Sequence, residues 1–402
     1  MDRIVVAGAS IAGMSAAREL RRLGFAGTIQ LVDEDPHAPY RRPSVSKGLL
    51  TGAQELHDVV APWSEQLALE RVAGVRLEAL DLGERVLRGR SGEDEVVLPY
   101  DGLVLATGSV ARSWPVPLGL DGVVTLRTVE DAMRMRDLLR TASRVVIIGG
   151  GFIGLEAAAS ATGLGVPATV IEAAPIPLAH AIGTALGERM AGVHRARGVD
   201  VICGVGVERI EGNGHVERVL LQDGRSIDAE IVLIAIGAAP AVGWLESSGL
   251  DLSSGVACDQ CCRVEGAENV VAAGDIANWV NPLYGRRMRV EHWTNAIQQA
   301  SFAAGALLGL ASEDGFSSAP YFWSDQFDVK LQSYGTALDH DETVVLEDTD
   351  EKLIVAYGRD GVLIGVAGLN AGIAVNHYRA LIEARTPFAE VSATHLAPQA
   401  VK

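Results

Sequence analysis

The chain has 402 residues, 48% of them hydrophobic, and a formal net charge of −17. This length indicates two or three domains, and the acidic balance argues against nucleic acid as a general partner. No run of about 20 apolar residues occurs, and the first residues lead into a strand-like segment rather than a secretion signal. We therefore expect no membrane contact and a cytoplasmic location.

The first recognisable signature lies at the start of the chain. A strand-like apolar run over residues 5–7 is followed by Gly8, Ser10 and Gly13, and then by helical sequence that stops at Gly24. In a dinucleotide-binding turn, the first glycine permits the tight turn, the second position admits a pyrophosphate, and the third lets the helix pack on the strand. Ser10 holds the second position, so we expect this loop to lie slightly further from its ligand.

The same signature occurs a second time, without the serine. The apolar residues 146–148 precede Gly149, Gly151 and Gly154, and the helical sequence after them stops at Gly165. In each copy the helix N-terminus directs its N–H groups and its dipole toward the expected phosphates. Two such copies predict two bound nucleotides, and two nucleotides on one protein suggest electron transfer between them.

Acidic residues follow each signature at the end of a second apolar segment. They are Asp33 and Glu34 in the first copy and Glu172 in the second. An acid there is placed to accept a hydrogen bond from a ribose hydroxyl, and we assign this role to Glu34 and Glu172. Because Glu172 would repel a 2′-phosphate, and Ala173 and Ala174 offer no positive charge, we expect the second site to prefer NADH to NADPH.

Coarser features follow along the chain. A Pro- and Arg-rich loop spans residues 35–47, and helices are predicted over 63–69 and 128–139. Strands are predicted to end at Gly108 and Gly237. Another strand is predicted over 269–275, and alternating apolar segments after residue 318 indicate an antiparallel sheet.

Four cysteines are present, the first of them Cys203, and they are too few for a disulfide scaffold. Cys258 and Cys261 form a C-x-x-C motif, with Cys262 beside it. A redox role would require the motif at a helix start, whereas its context favours a strand and a turn. Neither the cysteines nor the histidines show the spacing of metal ligands, so no metal site is predicted.

Taken together, these motifs resemble the flavin-dependent ferredoxin reductases of oxygenase systems, the family of putidaredoxin reductase and rhodocoxin reductase. The resemblance covers essentially the whole chain. It is carried by the two glycine signatures and by the segments 39–47, 106–108, 126–132, 274–275, 290–298 and 321–326.

The resemblance implies an α/β fold with two Rossmann-like dinucleotide-binding domains, as in glutathione reductase, and a C-terminal α+β domain. The FAD-binding domain would comprise residues 1–112 and 241–318, the NADH-binding domain residues 113–240, and the C-terminal domain residues 319–402. The implied cofactors are FAD and NADH. The residues expected to bind them are Gly8, Ser10, Ala12, Gly13, Asp33, Glu34, Arg42, Lys47, Leu77, Ala106, Thr107, Gly108, Arg127, Gly149, Gly151, Phe152, Ile153, Gly154, Glu156, Glu172, Gly237, Gly274, Asp275, Trp293 and Trp323.

The resemblance further implies an NADH-dependent ferredoxin reductase with Lys47 and Glu156 as its catalytic residues. A hydride would pass from NADH to FAD, and single electrons would then pass to a [2Fe–2S] ferredoxin that feeds a cytochrome P450 or another oxygenase. Lys47 would lie beside the isoalloxazine and near Glu156; the alternative is a solvated surface lysine. Ser44 and Val45 depart from the Pro-Leu usual in relatives.

The expected partner is an acidic ferredoxin. The protein itself is expected to be a monomer or a weak dimer. Arg286, Arg287 and Arg289 form a basic cluster that could receive it, as could Arg41 and Arg42; ordinary solvated arginines are the alternative. Trp323 would line the flavin exit or pack in the core.

Two other readings of the fold remain open. A rubredoxin reductase would differ only in its acceptor. A redox-scaffold protein like the apoptosis-inducing flavoproteins would show slow NADH turnover. Disulfide reductases and NADH oxidases or peroxidases need cysteines early in the chain, and none precedes Cys203.

Overall fold

The computed structural model describes residues 1–61 and 65–391. The chain divides into two compact units. The first unit comprises Met1–Arg41, Val59–Val110 and Ala239–Pro320, and the second comprises Arg42–Asp58, Ala111–Ala238 and the chain from Tyr321 onward. The short strands Ser109–Ala111 and Ala238–Pro240 contain points at which the chain leaves one unit for the other.

A parallel sheet forms the core of the first unit. Its Val-, Ile- and Leu-rich inner strands are largely buried, as expected for a parallel sheet covered on both faces, whereas the edge strand Leu69–Ala73 is partly exposed. The helices Ile11–Arg22 and Trp293–Leu307 pack against each other in the same unit. In spatial order the strands are Val270–Ala272, Gly102–Leu105, Arg3–Ala7, Thr28–Asp33 and Leu69–Ala73.

Two smaller sheets complete the first unit. One is an antiparallel meander of Arg76–Asp81, Val86–Ser91 and Asp94–Pro99. The other joins Val256–Cys258, Ala277–Asn281 and Arg286–Met288. Short 3-10 turns occur at Glu65–Leu67, Gly243–Ser248 and Gly274–Ile276.

The helix predicted over 63–69 is not found in its described part, which excludes residues 62–64. Only the 3-10 turn Glu65–Leu67 is helical there, and Leu69 already begins a strand paired with Ile29. Sheet pairing therefore overrides the local helical tendency.

A second parallel sheet forms the core of the second unit. In spatial order its strands are Asp200–Cys203, Ala168–Glu172, Val145–Ile148, Ile231–Ile234 and Val123–Val124, and its main helices are Val129–Leu139, Phe152–Gly163 and Thr184–Ala196. An antiparallel meander consists of Val207–Gly212, Val216–Leu221 and Ser226–Asp228. Short helical segments lie at Arg42–Ser44, Gly48–Thr51, Leu56–Val59 and Ala179–Ile182.

The predicted helix over 128–139 is confirmed, and its start has a clear cause. The Thr128 hydroxyl accepts a hydrogen bond from the Asp131 N–H at 3.2 Å, and the Asp131 carboxylate accepts one from the Thr128 N–H at 3.0 Å. This capping box satisfies donors that a helix N-terminus otherwise leaves open.

Up to residue 391, where the described structure ends, the last part of the second unit is an antiparallel sheet on which the helix Gly372–Glu383 packs. The strands, in spatial order, are Tyr321–Gln326, Val329–Gly335, Val362–Leu369, Leu353–Arg359 and Glu342–Asp348. The predicted fold class is thereby confirmed: two Rossmann-like parallel sheets and a C-terminal α+β region. The three-domain boundaries stay a prediction. Within the described residues, no helix is both long enough and apolar enough to cross a bilayer.

Candidate functional site: two dinucleotide loops and a buried ion pair

The first glycine loop has a backbone that only glycine suits. Gly8 has a φ of +105°, and a Cβ built on it would lie 2.3 Å from the Ala106 carbonyl oxygen. A Cβ on Gly13 would lie 1.8 Å from the Gly8 carbonyl oxygen, so the helix approaches the turn as closely as the sequence predicted. Gly8 also donates its N–H to the Val32 carbonyl at 2.7 Å.

Asp33 ties this loop to the next strand. Its carboxylate accepts the Ala9 N–H at 2.5 Å and the Asp35 N–H at 2.9 Å. Glu34, to which the sequence assigned the ribose, is exposed one residue further on. The structure thus gives the two neighbouring acids different surroundings, and the ribose role of Glu34 stays a prediction.

The second loop repeats the geometry of the first. Gly149 has a φ of +110°, and its Cβ would lie 2.3 Å from the Ala235 carbonyl oxygen. The Glu172 carboxylate accepts the Gly150 N–H at 2.7 Å and the Ala174 N–H at 2.8 Å. Glu172 therefore has the same loop contact as Asp33, so Asp33 rather than Glu34 is its internal counterpart.

Both loops fit a pyrophosphate. The helices Ile11–Arg22 and Phe152–Gly163 begin at Ser10 and Gly151, and neither residue caps its helix with a side chain. Among the described residues, nothing lies within 4 Å of a Cβ built on Gly151. The first-turn N–H groups are thus available to an anion, which the positive end of the helix dipole favours.

Other residues expected at the FAD also lie in the first unit. A Cβ on Gly274 would lie 3.0 Å from that of Ala12. Asp275 accepts the Ser109 hydroxyl at 2.8 Å, and Trp293 begins the helix Trp293–Leu307.

The segment after the strand Gly102–Leu105 also carries predicted residues. Ala106 donates its N–H to the Ala7 carbonyl at 2.8 Å, and Thr107 donates its hydroxyl to the Ala241 carbonyl at 3.1 Å. Gly108 has a φ of +73°. Leu77 lies in the meander opposite Gly89, and the sequence reasoning gave no strand there.

In the second unit, the structure brings two predicted arginines together. The Arg42 guanidinium donates to the Arg127 carbonyl at 3.3 Å. Gly237 accepts the Arg112 N–H at 3.0 Å.

Aromatic and apolar candidates of the second unit lie near its second loop and C-terminal sheet. Phe152 packs on Phe322 with ring centroids 4.9 Å apart, and Trp323 stacks on Tyr321 at 6.1 Å. Ile153 is 37% exposed.

Lys47 and Glu156 form a shielded ion pair in the second unit. The Lys47 ammonium lies 2.6 Å from the Glu156 carboxylate, whose residue is only 6% exposed. The hydroxyls of Ser46 and Ser324 each donate to that carboxylate at 2.5 Å. The alternative of a solvated surface lysine does not describe this geometry. Sequence reasoning missed both serines, since a single hydroxyl residue carries no signal of its own.

The cysteine motif has the features of a structural element. Cys258 ends the strand Val256–Cys258, and all four cysteines are free thiols. Burial raises the pKa of Cys258 to about 12 and that of Cys262 well above its usual value. These thiols therefore stay protonated at neutral pH and are poor nucleophiles.

The basic cluster is largely paired with acids of the first unit. Arg287 bonds to the Glu265 carboxylate and donates to the Cys258 carbonyl at 2.8 Å. Arg289 bonds to the Glu291 carboxylate. The local positive charge is therefore smaller than the sequence suggested.

Two dinucleotide loops, each at its own Rossmann-like sheet, define an oxidoreductase that uses two nucleotides. The helix after the second loop also carries Glu156, the partner of Lys47. The family model described as pyridine nucleotide-disulphide oxidoreductase matches residues 2–300, and a reductase C-terminal model matches residues 321–401. The chain belongs to this family. The predicted cofactors, FAD and NAD(H), are confirmed. The family name refers to disulphide chemistry, whereas this sequence has no cysteine before Cys203.

Individual relatives and structures agree with this assignment. The chain is 34% identical over 378 residues to the probable ferredoxin reductase CtmF of Castellaniella defragrans, covering 92% of this chain and 91% of the relative. It is 33% identical to the rubredoxin-NAD(+) reductase of Pseudomonas putida, covering 90% and 94%. The structure matches that of the covalent putidaredoxin reductase–putidaredoxin complex with a TM-score of 0.90 and 29% identity, covering 96% of this chain and 94% of that one. The predicted resemblance to ferredoxin reductases of oxygenase systems is thus confirmed.

Proposed function

We propose that this protein oxidises NADH and delivers single electrons to a [2Fe–2S] ferredoxin that serves a cytochrome P450 or another oxygenase. It acts in the cytoplasm as a monomer or weak dimer. The main support for the proposal is the pair of equivalent glycine loops, because each can hold one dinucleotide by its pyrophosphate. FAD, when bound, provides the conversion between a two-electron donor and a one-electron acceptor.

The residues of the chain position the reactants and supply charge. In this proposal the first loop, Asp275 and Trp293 hold FAD. Arg42 and Arg127, which contact each other in the second unit, are also proposed as cofactor-binding residues. The second loop and Phe152 place the nicotinamide. Lys47 presents a positive charge that favours added negative charge nearby, and Glu156 fixes the position of the Lys47 ammonium.

The role of Lys47 can be tested by Lys47→Ala. We expect the variant to retain FAD. Reduction of that FAD by NADH should be about tenfold to a hundredfold slower, since a positioned charge is lost from a poorly solvated site. Anaerobic stopped-flow mixing measures this step as the loss of visible flavin absorbance. Lys330→Ala is the matched control, because Lys330 forms an exposed pair with Asp325 in the same unit. Equal rates in Lys47→Ala and the wild type would remove Lys47 from the reaction.

Arg286, Arg287 and Arg289 are the proposed docking residues for the ferredoxin. We expect Arg287→Glu to lower ferredoxin reduction severalfold at low salt, with a smaller effect at high salt, because steering by charge is screened. Ferricyanide reduction should be unchanged. Arg263→Glu is the control, since Arg263 also pairs with an acid of the first unit, Glu313. Equal losses with both acceptors, or with both variants, would contradict docking at this cluster.

A second candidate function is rubredoxin reduction, which the 33% identity to the Pseudomonas putida rubredoxin-NAD(+) reductase favours. Only the acceptor differs between the two functions. Parallel assays of NADH oxidation with a [2Fe–2S] ferredoxin and with a rubredoxin distinguish them. Our proposal requires the higher kcat/KM with the ferredoxin.

A further inference from the structure

A series of buried polar side chains, joined by hydrogen bonds, crosses the second unit and ends at Glu156. His194 Nε2 lies 2.8 Å from Gln326 Oε1, Gln326 Nε2 lies 3.0 Å from the Ser324 hydroxyl, and that hydroxyl lies 2.5 Å from Glu156 Oε1. His194 and Gln326 are 0% exposed and Ser324 is 1% exposed. This hydrogen-bonded series connects three separate elements: the helices Thr184–Ala196 and Phe152–Gly163 and the strand Tyr321–Gln326.

Each hydrogen bond in this series is donated in the direction of Glu156. A serine hydroxyl has one hydrogen to donate, and the Gln326 amide already donates to the Ser324 oxygen. Ser324 therefore donates its hydrogen to Glu156, and the separation of 2.5 Å is that of a short O–H···O⁻ hydrogen bond.

His194, the first residue of this hydrogen-bonded series, sets the direction of donation. Burial lowers the pKa of His194, so its ring is neutral and carries one N–H. We assign that hydrogen to Nε2, which faces Gln326 Oε1, because Nδ1 has no hydrogen-bond partner among the described residues. The carbonyl of Gln326 is thus held toward His194, and its NH2 group toward Ser324.

The other oxygen of Glu156 is equally well supplied with donors. It accepts the Ser46 hydroxyl at 2.5 Å and the Lys47 ammonium at 2.6 Å. With donors at both oxygens, the Glu156 side chain accepts hydrogen bonds on each side, and its orientation is fixed.

We propose that His194, Gln326 and Ser324 are positioning residues that hold Glu156 as an oriented carboxylate, and through it fix the Lys47 ammonium for hydride transfer from NADH. This inference rests on the proposed role of Lys47. It gives Ser324 and Gln326, on the strand Tyr321–Gln326, a part in the reaction that the sequence does not reveal.

The first test is Ser324→Ala, which removes the hydroxyl that donates to Glu156. We expect the limiting rate constant of flavin reduction by NADH to fall about fivefold to tenfold. This is less than the full loss of one hydrogen bond to a charged group, because the serine acts on the reaction only through Glu156 and Lys47. The dissociation constant for NADH from the same stopped-flow series should stay within about twofold, since uniform binding is untouched. Ser333→Ala is the matched control. Ser333 is a buried serine, 3% exposed, on the neighbouring strand Val329–Gly335, and its removal should leave both constants unchanged.

Gln326→Glu tests direction rather than packing, because the two side chains have nearly the same shape. A carboxylate at position 326 accepts the Ser324 hydrogen instead of donating to its oxygen, which removes the donor from Glu156. We expect the same split, a lower limiting rate with little change in NADH dissociation. If one of the two variants does not fold, the other still decides the question.

A double variant separates this inference from the proposed function. Ser324→Ala should have no further effect in a Lys47→Ala background if the serine acts through Lys47. A wild-type rate in Ser324→Ala and Gln326→Glu, or additive losses in the double variant, would overturn the inference alone. A wild-type rate in Lys47→Ala would instead overturn the proposed role of Lys47.

Discussion

Gly149→Ala is expected to raise the KM for NADH on the order of 100-fold while the protein keeps its FAD, since small displacements of a bound reactant have effects of this size. At the φ of +110° found for Gly149, an alanine is strained by about 1–3 kcal/mol. Its Cβ would also lie 2.3 Å from the Ala235 carbonyl oxygen, so the turn must move. The Gly8 loop belongs to the other unit and is unaltered.

Gly163→Ala is the matched control on the same helix. Gly163 is not at a positive φ, and nothing among the described residues lies within 4 Å of its Cβ. This control should be neutral, or stabilising by about 0.5–1 kcal/mol. Steady-state kinetics with ferricyanide and the flavin absorbance of the purified protein measure the two outcomes. Loss of FAD with an unchanged KM for NADH in Gly149→Ala would mean that the two loops have been assigned in the wrong order.

A strong preference for NADH over NADPH is the second large effect we expect. We expect kcat/KM with NADH to exceed that with NADPH on the order of 100-fold, because a 2′-phosphate near Glu172 would face a carboxylate at short range. Glu172 is also held in place by the N–H groups of Gly150 and Ala174. It cannot turn away from the phosphate without leaving those donors unpaired.

Glu172→Gln removes the charge and keeps an oxygen that can accept a loop N–H. This variant should lose much of the discrimination through a higher kcat/KM with NADPH, while the value with NADH falls only a few-fold. Glu188→Gln, on the helix Thr184–Ala196 of the same unit, controls for the change in net charge. Equal kcat/KM values for the two coenzymes in the wild type would contradict the assignment of the second loop.

Much of the fold could be predicted because its signals are local. The apolar strands, the glycines at positive φ and the capping residue Thr128 each specify their own structure. The meander of residues 76–99 and the strand that begins at Leu69 were not predicted. The strand at Leu69 depends on pairing with the distant strand Thr28–Asp33. Such pairing has no signature within a short window of sequence.

The candidate site likewise has features that the sequence predicts and features that depend on distant segments. The glycine loops follow from spacing, and the pairing of Lys47 with Glu156 followed from the resemblance. The buried neighbours of Glu156 did not, since Ser324 and Gln326 come from a sheet far along the chain. The difference between Asp33 and Glu34 also required the register of the parallel sheet, which brings Asp33 within reach of Ala9.

Anaerobic mixing of the FAD-loaded protein with NADH and a [2Fe–2S] ferredoxin tests the central claim most directly. We expect the ferredoxin to be reduced only when the protein is present, with each NADH reducing a pair of ferredoxin molecules. Reduction of the bound flavin by NADH with the ferredoxin left oxidised would contradict the account.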